Sequence, residues 1–286
     1  MKILILGSNS TIGKDLIHYL NSKNQLFLVS RKKFLINKKI NIIKNINFNE
    51  LNKIKYHKFD LLINCIATHN FSKRKSINNY IDSNIKALID VLTSGIKIKL
   101  ILNLSTISKF DLTYKKNINE KTKINMNSIL GITKSCLDEL MKFQKTPYIN
   151  LLLPGVITNS GEPKRPFLKK LIYMLKSNQL INVTNISLPF NSFVDSYEIY
   201  NFINHILKIK KFSFSGDYIL SPNNYITLKY AINYIANYLK IKTKYVNLGK
   251  DDKNYLLNNS KLKKILNFYP SSAKDILHRI LVNTRL

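Results

Sequence analysis

Short apolar runs alternate along the first half of the chain with longer stretches whose apolar positions recur every three or four residues. The runs at 2–6, 25–29, 41–44, 61–65, 99–104 and 148–153 have strand length. The stretches at 11–22, 50–56, 76–93 and 127–144 read as helices. In the last of these, Ile129, Leu130, Ile132, Thr133, Cys136, Leu137, Leu140 and Met141 form one helical stripe. The strand runs are mostly apolar throughout, so they predict a parallel sheet buried on both faces. Right-handed crossovers then wind the chain into a doubly wound α/β fold, with ligands at the carboxyl ends of the strands.

The pattern changes after Pro154. Segment 156–166 holds Gly161, Pro163 and Pro166 and reads as a loop. Helices are expected at 167–177, 196–208 and 227–240, and a short strand at 217–221 that returns to the first sheet. Residues 1–155 are therefore expected to form a nucleotide-binding domain, and 156–286 a smaller, mixed α/β substrate lobe. No internal repeat is visible.

Composition modifies this picture only in part. Among 286 residues, 46 Lys and Arg face 16 Asp and Glu, a formal charge of +30. The lysines are spread over the whole chain, and Lys, Asn and Ile share A/T-rich codons. Genome composition accounts for the charge more simply than a nucleic-acid patch does. An RNA-binding derivative would need the charge gathered on one face beside exposed aromatics. The field still favours anionic ligands such as nucleotides. Two cysteines, Cys65 and Cys136, cannot make a disulfide scaffold, which suits a reducing cytoplasm. The first apolar run stops at Gly7, too short for a signal peptide or a membrane helix. The five histidines show no metal-ligand spacing.

The segment Gly7-Ser8-Asn9-Ser10-Thr11-Ile12-Gly13 joins the first strand to the first helix. Gly7 permits a tight turn, Gly13 lets helix and strand approach, and the helix N-terminus offers amides to a pyrophosphate. Ser10 stands where the usual fingerprint has its middle glycine. Gly7, Asn9, Ser10, Thr11, Ile12 and Gly13 are thus candidate dinucleotide ligands. The second strand ends in Val29-Ser30-Arg31, without the carboxylate that binds the ribose hydroxyls of NAD. Ser30 and Arg31 instead suit a 2′-phosphate, so NADP is favoured over NAD.

From this loop onward, nearly end to end, the chain resembles the extended short-chain dehydrogenase/reductase family, the NAD-dependent epimerase/dehydratases. Residues 60–67 (DLLINCIA) are similar to the family's fourth-strand segment, and Tyr80 with Asn84 matches its YxxxN helix. The strand end at 104–110 (LSTISKF), the helix start at 130–134 (LGITK) and the turn Leu153-Pro154-Gly155 follow in family order. Phe193-Val194-Asp195 and Asn267-Phe268-Tyr269-Pro270 resemble the later family motifs. The resemblance implies a Rossmann sheet that holds NAD(P). It places Thr11 and Ile12 over the pyrophosphate. Cys65, Ile66 and Ala67 would line the adenine and ribose side, with His69 just beyond. Thr106 would hold the substrate oxygen, and Lys134 the nicotinamide ribose; these two are the catalytic candidates. It also implies a nucleotide-sugar substrate, and helices at 76–93 and 127–144 that often pair in homodimers; the A/T-rich composition would suit a bacterial surface-polysaccharide pathway.

Two departures bear on activity. The family's proton-transferring tyrosine, one turn before the lysine, is Leu130 here. Loss of a general acid/base typically lowers rates by roughly 10²–10⁴-fold. Tyr114, Ser128, Ser108 and His69 are the substitutes nearest in sequence. The arginine that clamps the substrate diphosphate is Asn191, leaving Lys164, Arg165, Lys169 and Lys170 as alternative point charges. The reading is an NAD(P)-dependent nucleotide-sugar epimerase, dehydratase or reductase acting by hydride transfer at a sugar carbon. The alternative is a catalytically impaired NAD(P)-binding protein with a regulatory or assembly role.

Overall fold

Strands β1 (Lys2–Leu6), β2 (Gln25–Val29), β3 (Ile42–Ile46), β4 (Leu61–Asn64), β5 (Ile101–Thr106) and β6 (Tyr148–Leu153) build most of one parallel sheet. Their setting is a computed structural model that describes residues 1–32, 42–68, 76–112, 117–125, 127–159, 166–183, 185–209, 212–243, 245–249 and 255–283. A seventh strand, β9 (Gly216–Ile219), returns from the second half and pairs with β6. The order across the sheet is β3-β2-β1-β4-β5-β6-β9. The winding direction reverses between β1 and β4, which opens a crevice at their carboxyl ends.

The apolar runs dictate this layering. Ile3 and Ile5 of β1 join Leu26 and Leu28 of β2 in a core with Leu16, Ile17 and Leu20 of helix α1 (Thr11–Leu20). Leu4 and Leu6 face the other way, toward Phe27, Leu88, Leu137 and Met141. Each such side chain contributes about 1.5–3 kcal/mol when fully buried. The second face is covered by α2 (Ile77–Ile81), α3 (Ala87–Thr93) and α4 (Ile129–Met141). A π-helical turn, Asp82–Lys86, interrupts what the sequence reads as one helix between α2 and α3.

A further core lies in the second half. Ile172 of α5 (Phe167–Lys176), Ile232 and Ile235 of α7 (Leu228–Leu239), and Ile276 and Ile280 of α9 (Ala273–Asn283) meet there. Two short strands, β7 (Gly155–Ile157) and β8 (Phe193–Asp195), pair in parallel. Helix α6 (Ser196–Ile206) packs on α1, and α8 (Ser260–Leu266) precedes α9.

Several expectations are corrected. Residues 50–56 are not an α-helix; a 3₁₀ segment, Phe48–Ile54, starts at a capping box between Asn47 and Glu50. The third strand runs beyond Lys44 to Ile46, and Asn41 lies outside the described residues. Val156 and Ile157, read as loop, lie in β7 because Val194 and Asp195 provide a partner strand far along the sequence. Helices α8 and α9 were not anticipated. Gly161, Pro163, His69, Tyr114, Lys164 and Arg165 lie outside the described residues. Among the described residues, no helix is long and apolar enough to cross a membrane.

Candidate functional site

The loop after β1 is shaped by its two glycines. Gly7 has φ +77°, and a Cβ there would lie 2.9 Å from Ile66 Cγ1 and 3.1 Å from the Cys65 carbonyl carbon. A Cβ on Gly13 would lie 2.5 Å from the Gly7 oxygen and 2.9 Å from Ser10 Oγ. Ser10 sits at φ −67°, ψ 159°, a conformation open to any residue, so this position does not require glycine. It is the N-cap of α1. Its hydroxyl accepts the Gly13 amide at 3.0 Å, and its own amide donates to the Gly7 carbonyl at 2.8 Å. A helix leaves its first amides without internal acceptors. Thr11 and Ile12 carry the first two of these amides in α1. Glycine at both positions lets the loop and the helix start close on each other, and this compact turn at a helix N-terminus has a form that suits a pyrophosphate.

At the end of β2, Ser30 is buried while Arg31 is exposed. Asn9 reaches across from the glycine loop, its Nδ2 donating to Ser30 Oγ at 3.1 Å and also to the Lys32 carbonyl. The Ser30 hydroxyl donates to that same carbonyl. Asn9 and Ser30 thus brace each other, and the charged side chains of Arg31 and Lys32 are exposed beside them.

The exit of β4 is held from two sides. Asn64 Oδ1 accepts the Ile66 amide at 3.2 Å. Asn84, on the π-helical turn, accepts the Thr68 amide at 2.7 Å and donates to Thr133 Oγ1 at 2.9 Å. Of the three residues expected to line the ribose side, Ala67 is exposed and Ile66 half-buried. Cys65 is instead part of the core, and burial pushes its thiol up to about 12 against the opposing charge of Lys134.

Lys134 lies beneath this exit and is only 1% exposed. Its Nζ donates to the carbonyls of Ile66 at 2.9 Å and Leu104 at 3.1 Å. Burial lowers its pKa to about 8, with Asp138 and Cys65 pulling the other way. Helix α4 approaches closely because residue 131 is glycine. A Cβ there would fall 3.1 Å from the Ser108 oxygen and 3.3 Å from Lys109 Cα. Thr106, half-buried at the end of β5, accepts the Ser108 amide at 3.1 Å. The fold thus places Gly7 against Ile66, Lys134 under Ile66, and the Thr106 strand end against the start of α4.

Leu130 is buried at that start, and its side chain carries no proton-transfer group. Ser128 is the N-cap of this helix and accepts the Gly131 amide at 3.3 Å. Ser108 is exposed. In the second half of the chain, Asn191 is committed to Leu257: it donates to the Leu257 carbonyl at 2.8 Å and accepts its amide at 2.9 Å. Lys169 is not a free surface charge. It is buried, its Nζ donates to the Thr158 carbonyl at 3.0 Å, and burial lowers its pKa. Lys170 is exposed.

Sequence reading missed a set of polar residues beneath the site. Lys109, only 3% exposed, donates to Asp138 Oδ2 at 2.8 Å and Asp217 Oδ2 at 2.6 Å. Burial disfavours its ammonium form, but the two carboxylates outweigh that and hold its pKa above the ordinary value. A lysine set between Ser108 and Phe110 carries no local sign of burial; only an internal carboxylate at a distant position could have shown it.

A parallel sheet with this strand order, a glycine-shaped loop into α1 and a lysine on α4 beneath the β4 exit define a dinucleotide-binding α/β protein. Residues 3–188 match the model of the NAD dependent epimerase/dehydratase family, and the chain belongs to that family. A comparison with curated proteins finds no match. Among solved structures, the chain is similar to UDP-glucuronic acid 4-epimerase from Bacillus cereus, crystallised with UDP-glucuronic acid and NAD. The two share 17% identity over 100% of this chain and 99% of that one, with a TM-score of 0.77. UDP-N-acetylglucosamine 4-epimerase from Methanobrevibacter ruminantium M1, in complex with UDP-N-acetylmuramic acid, matches at 17% identity over 98% and 97% of the chains, TM-score 0.77. The dTDP-glucose 4,6-dehydratase from Bacillus anthracis str. Ames, with NAD, matches at 16% identity over 99% and 96%, TM-score 0.73. At these identities the likeness is one of fold.

Proposed function

We propose that the chain binds a nicotinamide dinucleotide across the ends of β1, β2 and β4 and acts on a nucleotide sugar. The observation that carries this reading is the convergence of the Gly7–Gly13 cradle, the Ile66 exit and Lys134 on one crevice, within a chain of this family. The bound nicotinamide would supply the hydride chemistry. The Thr11 and Ile12 amides would hold the pyrophosphate, and Lys134 would orient the ribose from beneath. Thr106 would position the substrate oxygen. The exposed Arg31, with no carboxylate beside it at the strand end, supports NADP over NAD. Two free cysteines suit a reducing compartment. The outward faces of α2 and α4, which carry the exposed Ile77, Ile81 and Leu140, suit pairing of two copies.

Leu130 favours a second reading, a binding protein whose chemistry is impaired and whose role is regulatory or in assembly. The two readings separate in one experiment. Wild type and Leu130→Tyr are titrated with NAD and NADP, then assayed with UDP-sugars for a change in nicotinamide absorbance or for epimer formation. The variant places a phenol one turn before Lys134, on the same helix face. Turnover absent from wild type and gained by Leu130→Tyr supports the second reading, a binding protein that has lost its acid. Robust wild-type turnover shows that another group moves the proton. Absence of dinucleotide binding in both proteins sinks the proposal.

A further inference from the structure

Four neighbouring strands each place one polar side chain at the same level of the sheet. Asn64 of β4 is in register with Asn103 of β5, Asn103 with Asn150 of β6, and Asn150 with Asp217 of β9. The three asparagines are at most 1% exposed. Their side chains form a ladder: Asn64 Nδ2 donates to Asn103 Oδ1 at 2.9 Å, Asn103 Nδ2 to Asn150 Oδ1 at 3.1 Å, and Asn150 Nδ2 to Asp217 Oδ1 at 2.8 Å. Asn103 Nδ2 also donates to Asp138 Oδ1 at 3.1 Å.

Every amide in the ladder points the same way, and the carboxylates explain why. An ionised carboxylate only accepts. Asp217 therefore turns the Asn150 amino group toward itself, which leaves the Asn150 oxygen facing Asn103. Asn103 must then donate, and so must Asn64. The last acceptor in the series, Asn64 Oδ1, faces the Ile66 amide. Asp138 is surrounded by donors alone: Asn103 Nδ2, Ser105 Oγ at 2.8 Å and Lys109 Nζ. Lys109 bridges both carboxylates, and Lys261 Nζ donates to the Asp217 carbonyl at 2.8 Å. A fully satisfied network of this kind rigidifies what it spans.

The path closes on itself. Ile66, whose amide ends the ladder, gives its carbonyl to Lys134. Asp138, which receives from the ladder, lies one turn beyond Lys134 on α4. We infer that Lys109, Asp138 and Asp217 are positioning residues: their ion triad sets the direction of the asparagine ladder, and the ladder fixes the Ile66 peptide that holds Lys134. The inference rests on the proposed cofactor site only for its consequence, which is tighter dinucleotide binding. The control acts across three inter-strand gaps, roughly 14 Å.

The test is Asp138→Asn combined with Asp217→Asn in the full chain, because Asp138 also holds the Asn103 amino group. Both side chains can then donate as well as accept, so neither dictates the ladder's direction. Backbone and side-chain amide resonances are followed by NMR, together with calorimetric titration of NAD and NADP. The inference expects the Asn64 side-chain amide and the Ile66 backbone amide to shift, and dinucleotide affinity to fall about fivefold or more, in a folded protein. A role in stability alone would lower the melting temperature and leave those remote resonances in place, which overturns the inference. If the double variant does not fold, Asn103→Leu cuts Asn64 off from both carboxylates and spares the triad, and the same shifts at Asn64 and Ile66 are expected. If wild type binds no dinucleotide, the cofactor proposal fails, while the resonance shifts still decide the ladder.

Discussion

Replacing Gly13 with alanine sets two effects of opposite sign against each other. In an ordinary helix the change is favourable by about 1 kcal/mol, because glycine loses more backbone freedom. Here the new Cβ would lie 2.5 Å from the Gly7 oxygen and 2.9 Å from Ser10 Oγ. Carbon and oxygen do not approach so closely, and the first contact is with backbone. The start of α1 must therefore move outward by about 0.5 Å or more. That movement strains the 2.8 Å bond from the Ser10 amide to Gly7, which closes the turn. Overpacking of this kind is unfavourable by about 1–3 kcal/mol, so after the helix-propensity gain the expected net loss is about 0–2 kcal/mol. A domain stabilised by about 5–15 kcal/mol survives it. Ligand binding suffers more. A hydrogen bond to a charged group is worth about 1.5–3 kcal/mol, and displacing the Thr11 and Ile12 amides weakens at least one. We expect dinucleotide affinity to fall tenfold or more, the equivalent of about 1.4 kcal/mol. Calorimetric titration and a thermal melt measure both effects together. An unchanged Kd with a raised Tm, as helix propensity alone predicts, would refute the reasoning.

Other consequences are equally open to measurement. Arg31→Ala should weaken NADP tenfold, about 1.4 kcal/mol, and leave NAD within a factor of two; equal losses for both would contradict the assignment of the strand end. Lys134 titrates near 8 in the native chain, against an ordinary value of 10.5 when unfolded. Between those values the unfolded chain holds the extra proton, so native stability rises with pH. Unfolding of wild type and Lys134→Met across that range should show wild type gaining on the variant as pH rises; a constant difference argues against a buried ammonium. Arg279 donates to Asp195 at 2.9 Å and to Glu198 at 2.5 Å, both carboxylates being almost fully buried. Arg279→Ala should lose about 3 kcal/mol in denaturant unfolding, since it strands two buried charges. The loss should shrink in a Glu198→Gln background.

What the sequence showed of this architecture follows from where each signal resides. The first, second and sixth strands were legible to the residue, because a doubly buried strand must be apolar along its length. The glycine loop was legible because its constraint is local, between residues 7 and 13. Helix α9 carried a readable stripe, Ala273, Ile276, Leu277, Ile280 and Leu281, that was passed over. Strand β7 was hidden because its partner is nearly forty residues away, and strand pairing leaves no mark within either short segment. The ladder was hidden for the same reason. Asn64, Asn103 and Asn150 each look like a stray polar residue in an apolar run until the register aligns them. Lys109 and Lys169 looked like solvated lysines, since a lone charge in sequence does not reveal the carboxylate or carbonyl it meets in space.

The arrival of β9 from residues 216–219 gives the molecule a schedule as well as a shape. Strands β1 to β6 leave the ribosome first. Until residues 154–219 follow, β6 has no neighbour on one side, although it is buried along its whole length in the finished fold. An unpaired apolar strand is a template for another chain. Lys109 meanwhile has Asp138 but not Asp217. At roughly 5–20 residues per second, this state lasts on the order of several seconds during each round of synthesis. That interval, more than any feature of the completed protein, is where this sequence is most vulnerable to aggregation.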